Sequence, residues 1–115
     1  MSDLHENIDG KHLVLNYIQG SGFMTWGWFH TFDPKEGFVF VRVGESDRGC
    51  IKDGLIQDDH TGRVMVPYEH FRDAFWHCMR HVPVFRRTNP HDPDLDASMA
   101  DIVVQHAVFG ETVFA

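Results

Sequence analysis

Residues 67–82 read PYEHFRDAFWHCMRHV, and they mark the point where this chain changes from strand to helix. Four apolar side chains in this stretch recur at spacings of four, three and four: Phe71, Phe75, Cys78 and Val82. These spacings place them on one stripe of an amphipathic helix, because a helix turns once every 3.6 residues. Proline suits the first helical position and interrupts a helix at later ones. The pattern therefore predicts a helix over residues 67–82, ended by Pro83.

The residues before this helix indicate β-structure. Five runs are strand candidates bounded by turn residues: 12–19, 23–32, 38–43, 50–57 and 63–66. The run at residues 50–57 is the weaker one, and Gly54 within it suggests a bulge. The clearest is FVFVRV at residues 38–43, which follows a Pro- and Gly-containing turn. Short connections between such runs favour an antiparallel meander. Residues 12–66 are therefore predicted to form four or five antiparallel strands.

The residues after the helix predict a loop and a final element. Residues 83–96 carry three prolines, which is typical of a loop. Residues 97–109, ASMADIVVQHAVF, fit a helix that Asp96 or Ser98 caps and Gly110 ends. Their central Ile-Val-Val run also fits a strand, so both structures stay open, with the helix favoured.

Length and pattern together give the expected architecture. A chain of 115 residues is expected to form one domain with its own core. We predict an α+β fold in which an antiparallel meander precedes one amphipathic helix packed on the sheet. A second helix is predicted within the C-terminal element at residues 97–115.

Charge is distributed unevenly along the chain. The net charge of −7 argues against general binding of nucleic acid. Residues 63–91 nevertheless carry five arginines against two acids, and four of the nine histidines. A polarised chain of this kind predicts an interaction surface for a protein partner or a second copy.

The cysteines and the apolar runs predict the cellular compartment of the protein. Cys50 and Cys78 form no Cys-x-x-Cys motif, and two cysteines are too few for a disulfide framework. The first residues lack the apolar region of a signal peptide, and no run is long enough to span a membrane. The sequence therefore predicts a cytoplasmic protein without membrane association.

The predicted helix offers a candidate partner site. Trp76 lies about 140° from Phe71 around the helix, between Arg72 and Arg80. An outward tryptophan between arginines is typical of an interface. Alternatively, an arginine stacks on Trp76 and the face stays bare, or the C-terminal segment covers it. The predicted partner-binding residues are Arg72, Trp76, Arg80, Arg86 and Arg87.

Three histidines on the opposite flank suggest a metal site. His70, His77 and His81 share one edge of the predicted helix, and the last two have the i, i+4 spacing that can chelate a divalent ion. No Glu follows the first of them, so the His-Glu-x-x-His motif is absent. Solvated histidines are the simpler interpretation, and no cofactor is predicted.

These observations favour a small acidic interaction protein of the inhibitor, immunity or adaptor type, which binds a macromolecular partner or itself through the helix at residues 67–82. The alternative is a ligand-binding or enzymatic domain with an aromatic pocket at Trp26, Trp28 and His30. The sequence contains no Gly-x-Ser-x-Gly motif, and Cys78 falls on the apolar stripe. Catalysis is therefore the less favoured hypothesis.

Overall fold

The computed structural model describes residues 9–21, 29–58, 60–87 and 95–111, and within these ranges it shows an α+β fold. Four antiparallel strands form one open sheet there: β1 (Phe29–Pro34), β2 (Phe38–Val43), β3 (Ile56–Asp58) and β4 (Arg63–Pro67). The α-helices of the described ranges are α1 (Gly10–His12), α2 (Tyr68–His81) and α3 (Ala97–Phe109). The predicted α+β class is therefore confirmed.

The two central strands direct their valines into the core. Val39 and Val41 of β2 are buried and lie opposite Val66 and Val64 of β4. Residues between them along each strand are more exposed, as expected when alternate side chains point to opposite faces. Burial thus alternates with a period of two residues along β2 and β4. This alternation fixes the register of the pair, because a shift by one residue would expose the valines.

The order of the strands is β1-β2-β4-β3, so the predicted meander is wrong at the step from β2 to β3, which are not neighbours. After β2 the chain forms a 3-10 helix, Glu45–Cys50, and then turns at Gly54, whose φ is +94°. This long connection carries β3 to the sheet edge, and β4 fills the place beside β2. The strand predicted over residues 50–57 is correspondingly reduced to Ile56–Asp58.

The strand predicted over residues 12–19 is also wrong, because the chain is helical there. Helix α1 continues as a π-helix, Leu13–Ile18, and a 3-10 turn, Gln19–Ser21. Leu13, Val14 and Ile18 are buried, whereas Leu15 is 40% exposed. That spacing fits a helical face, but the β-branched composition of the run favoured a strand. Of the strand predicted over residues 23–32, β1 contains the end, and residues 23–28 lie outside the described ranges.

The helices predicted over residues 67–82 and 97–109 are confirmed. Helix α2 follows Pro67 and carries Glu69 in its first turn and basic residues in its last, as the helix dipole favours. Helix α3 begins at Asp96, whose Oδ1 accepts a hydrogen bond from Met99 N at 2.8 Å. It ends at Gly110 in the left-handed conformation. Of the two predicted capping residues, Asp96 is therefore the one used.

Helix α3 is buried on most sides and packs against α2. Among its apolar residues lie Asp101 and Gln105, both buried, and joined by a hydrogen bond of 2.8 Å. On the sheet side, the ring of Phe32 in β1 contacts that of Phe71 in α2 edge-to-face, with centroids 5.9 Å apart. A third contact joins α2 to the β1–β2 turn, where Tyr68 Oη donates to the Lys35 carbonyl.

The region predicted as a loop at residues 83–96 is partly helical. A 3-10 helix, Pro83–Arg87, follows α2, and it buries the ring of Phe85 completely. Residues 88–94 lie outside the described ranges. None of the helices in the described part of the chain combines the length and apolar character that a membrane span requires.

Candidate functional site

Trp76 is oriented differently from the prediction. Its side chain is only 9% exposed, so the expected outward indole is wrong. The indole lies edge-to-face on the ring of Phe75, with centroids 5.6 Å apart. A helical wheel gives the direction of the Cα–Cβ bond, whereas a side chain as large as Trp extends over the neighbouring turn. The indole is therefore buried although its backbone position lies beside the apolar stripe.

The chain after α2 adds to this packing. Helix α2 ends at His81, and Val82 caps it. Phe85 N donates to the Val82 carbonyl at 3.0 Å, which turns the backbone toward the helix. The ring of Phe85 then reaches that of Phe75, with centroids 6.4 Å apart. Phe75 thus lies between Phe85 and Trp76, and the three rings form one aromatic cluster.

Trp76 nevertheless lines a groove on the outer side of α2, which we call the Trp76 groove. It encloses about 280 Å³ and is lined by Asp73, Trp76, His77 and Arg80. Trp76 is buried and the other three are exposed. The groove therefore has an apolar base and a polar rim that carries both charges.

The predicted partner-binding arginines are only partly brought together. Arg80 is exposed at the groove rim. Arg72 is half-buried, and its Nε lies 3.6 Å from Oδ1 of Asp73. Arg86 is exposed on the following 3-10 helix, and the structure does not describe the side chain of Arg87.

A second cavity adjoins the groove and is called the Lys52 cavity. It encloses about 210 Å³ and is lined by Lys52, His70, Asp73, Ala74, His77, His106 and Gly110. Asp73 and His77 line both spaces, so the groove and the cavity are neighbours on α2. The cavity collects nitrogen-bearing side chains from α2, from α3 and from the connection between β2 and β3.

Lys52 is held at this cavity by its own backbone. Its N–H donates to the Val108 carbonyl at 3.0 Å, and Val108 belongs to the last turn of α3. The carbonyls of a last helical turn have no partner within the helix, so this bond satisfies one of them. The preceding residue, Ile51, is buried and anchors the connection to the core. The β2–β3 connection thus places the Lys52 side chain beside α2.

The imidazoles form a row across α2 and α3. The rings of His77 and His81 have centroids 4.6 Å apart, and those of His77 and His106 are 5.1 Å apart. His70 lines the same cavity as His77, as their predicted common edge implies. Within the described residues, no group of three or more His, Cys, Asp or Glu side chains is arranged to hold a metal ion. The geometry thus gives the predicted site at His70, His77 and His81 no support.

Burial determines the protonation of the cavity groups. It lowers the pKa of Lys52, and the nearby Asp73 carboxylate opposes this effect. Burial also lowers the pKa of His70 and of His106, and the positive charge of Lys52 acts in the same direction. Burial in the cavity therefore disfavours the charged forms of Lys52, His70 and His106.

The other candidate residues are not assembled into a site. Burial raises the pKa of the Cys78 thiol to about 12, which makes it a poor nucleophile. Cys50 is exposed, and both cysteines are free. Trp26 and Trp28 of the alternative pocket lie outside the described ranges, and the side chain of His30 is not described.

Sequence reasoning missed three residues of the cavity: Lys52, Asp73 and His106. Lys52 belongs to the run at residues 50–57 that was predicted as a strand, and His106 belongs to the final element predicted at residues 97–109. The packing of α3 against α2 brings His106 to His77, and no pattern within either segment encodes that contact. Of these three residues, only Asp73 had a signal in the sequence, because it follows Arg72 at an exposed position of the predicted helix.

Comparison of the chain with protein-family models, with curated proteins and with solved structures gave no match.

Proposed function

We propose that this chain is a small interaction protein that binds an acidic segment of a partner protein across the outer side of α2. The observation that carries the proposal is the Trp76 groove, with its buried indole at the base and exposed Arg80 at the rim. Trp and Arg are enriched among the residues that dominate binding energy at interfaces. Here the indole receives an apolar side chain of the partner instead of inserting into it.

The charge of this side supports an acidic partner segment. The whole chain has a net charge of −7. In contrast, Arg72, Arg80 and Arg86 lie on or next to the outer side of α2, where Glu69 and Asp73 are the acids. A positive patch on a negative protein directs approach of a negative segment and disfavours its binding elsewhere. Arg80 is the residue best placed to pair with a partner carboxylate.

The size of the groove supports a macromolecular partner over a free metabolite. Sites for small molecules usually enclose roughly 300–1,000 Å³ and bury most of the ligand. The Trp76 groove encloses about 280 Å³ and is lined by three exposed side chains. It has room for one or two side chains that extend from a longer segment. Nucleic acid is the less favoured polyanion, since the rest of this acidic chain would repel a long phosphate backbone.

The proposal corresponds to a binding protein of the inhibitor, immunity or adaptor type, located in the cytoplasm. The free thiols at Cys50 and Cys78 support that compartment, where cysteines stay reduced.

Synthetic peptides provide the test. An acidic peptide with one Phe among Glu and Asp residues is compared with its Lys-substituted counterpart and with a single-stranded oligonucleotide, each followed by fluorescence anisotropy. We expect only the acidic peptide to bind. Arg80→Glu should weaken its binding at least tenfold, whereas Arg42→Glu, at an exposed position on β2, should not.

Three outcomes would overturn the proposal. The first is equal binding by the Arg80→Glu and Arg42→Glu variants, and the second is tighter binding of the oligonucleotide. The third is a dimer of the wild-type chain that Arg80→Glu dissociates, which would assign this side to self-association. Trp76→Phe keeps an aromatic ring and should retain the fold, so its binding reports on the indole itself.

A further inference from the structure

The Lys52 cavity lies beside the groove but brings together different chemistry. Lys52 is contributed by the β2–β3 connection, whereas His70 and His77 are contributed by α2. His106 of α3 forms part of the wall and packs against His77. Lys52 does not line the Trp76 groove. A ligand held by Lys52 would therefore not require the proposed partner.

The charges that face Lys52 are few. Among the residues lining the cavity, Asp73 is the acid, and its side chain is 71% exposed. Arg72 approaches the same carboxylate, with its Nε at 3.6 Å from Oδ1, so Asp73 is shared between two cations. Two further acids influence the rim, since Glu69 acts on His70 and Glu111 acts on His106. Neither Glu69 nor Glu111 lines the cavity.

The negative end of α3 borders the cavity, and two of its carbonyls already accept backbone hydrogen bonds. The Val108 carbonyl accepts a hydrogen bond from Lys52 N at 3.0 Å. The His106 carbonyl accepts one from Gly110 N, also at 3.0 Å. These bonds use backbone donors, so the ammonium of Lys52 and the imidazole N–H groups of His70 and His77 stay available to the cavity.

We propose that the Lys52 cavity binds a small oxyanion, a phosphate or a carboxylate, between the Lys52 ammonium and the imidazoles of His70 and His77. Lysine binds such anions as a compact point charge with three N–H donors. A neutral imidazole adds one N–H donor without demanding a further counter-charge. A volume of about 210 Å³ admits a phosphate or carboxylate group and not a whole nucleotide, so a larger ligand would leave its remainder outside.

The backbone tie of Lys52 to α3 makes the site preformed. The Lys52 N–H bond to Val108 fixes where the side chain begins, and the lysine is half-buried. Preorganised donors lose less conformational freedom when a ligand binds. The ammonium is also partly desolvated, which lowers the pKa of Lys52 and strengthens its attraction for an anion. An anion in the cavity would in turn stabilise the contact of the β2–β3 connection with α3.

Thermal unfolding in sodium phosphate, in sodium acetate and in sodium chloride of equal ionic strength tests the site. A ligand that binds the native state alone raises the melting temperature as its concentration increases. We expect phosphate or acetate to raise Tm by several degrees above chloride, and the stronger of the two identifies the oxyanion. Lys52→Met should abolish this difference. Lys35→Met should retain it, since Lys35 is exposed and pairs with Asp33 at 3.0 Å.

Histidine spectra of the wild-type protein keep the test independent of variant folding. Phosphate should shift the imidazole resonances of His70 and His77 and leave exposed His12 and His60 unchanged. Lys52→Arg, which retains the charge, should preserve part of the response. The proposal is overturned if chloride matches both oxyanions, if Lys52→Met responds like the wild type, or if His12 and His60 shift equally. Failure of acidic peptides to bind the Trp76 groove would leave these results unaffected.

Discussion

Gln105 donates a hydrogen bond from Nε2 to Oδ2 of Asp101 at 2.8 Å, within the interior of a helix that is otherwise mainly apolar. The two residues are four apart, so they occupy adjacent turns on one side of α3. Gln105 is fully buried, and Asp101 is 7% exposed. A buried carboxylate is costly unless polar groups compensate it, so Gln105 has a specific structural role.

Gln105→Glu should destabilise the fold strongly, because it replaces the donor with a second buried carboxylate of the same shape. We expect a loss of roughly 3 kcal/mol in the free energy of unfolding at pH 7.5, measured in urea. Protonation of one carboxylate relieves the repulsion between them, so the loss should shrink as pH falls toward 5. Gln57→Glu, at an exposed site on β3, should change stability by about 0.5 kcal/mol or less.

Gly10 is buried against the start of α2, where an added Cβ would clash with the Tyr68 carbonyl. Gly10→Ala should therefore cost about 1–3 kcal/mol of stability, since the backbone of α1 or α2 must shift. Gly20→Ala is the matched control, because a Cβ there would meet no neighbouring atom. Equal denaturation midpoints for the two variants would show that the contact of Gly10 with Tyr68 does not limit the packing of α1.

Acid should destabilise the protein through His70 and His106, whose pKa values are lowered from 6.5 in the folded chain. The unfolded chain then binds more protons than the folded chain below about pH 6.5. Stability that is present above that pH is therefore lost as pH falls through the lower folded pKa values. We expect Tm to decrease between pH 7 and pH 5.5.

Variants assign this pH dependence to particular histidines. His70→Asn and His106→Asn should each flatten the curve of Tm against pH, whereas His60→Asn, at an exposed position, should leave its slope unchanged. Burial is the main cause of both pKa shifts, and salt does not screen it. Glu69 and Asp73 oppose the pKa shift of His70, and Glu111 opposes that of His106, whereas Lys52 adds to both. High salt, which screens these charges, should therefore change the slope only modestly. A wild-type Tm independent of pH would contradict the lowered pKa values.

The start of α3 offers a comparison of two adjacent polar residues. Asp96→Ala removes the side-chain acceptor of the Met99 N–H bond and should cost about 1 kcal/mol. Ser98 is exposed within the first turn, so Ser98→Ala should have a much smaller effect. Urea denaturation of the two variants under the same conditions provides the measurement. A larger loss for Ser98→Ala would reassign the N-cap.

Local sequence patterns predicted an element correctly where its side-chain pattern and the residues at its ends indicated the same structure. In α2, the apolar stripe and the preceding Pro67 both indicated a helix, and the helix forms there. In β2, the β-branched and aromatic composition of residues 38–43 indicated a strand, and the strand forms there. Around residues 12–19, composition and spacing disagreed, and composition misled because packing against the core outweighs weak strand propensity.

The candidate site depended on contacts that no local pattern contains. His106 reaches His77 only because α3 packs on α2. Lys52 lines the same cavity, where its backbone bond to Val108 places it. The prediction for Trp76 used the angle of its Cα around the helix and did not consider how far the indole extends from it. The indole of Trp76 packs on the ring of Phe75, and that ring also contacts Phe85 after α2; a single helical wheel includes neither contact.

Because Cys50 is exposed and Cys78 is buried, thiol labelling can measure how often the native protein opens. Cys50 is exposed and should react with a thiol reagent at once, which sets the zero of time and the full-scale signal. Cys78 is fully buried, with a pKa near 12, so it reacts only in molecules that have transiently opened. The ratio of its labelling rate to that of an unfolded control is the open fraction. Each substitution above can thus be scored without denaturant, at a pH where thiols react, from the difference between the two labelling rates.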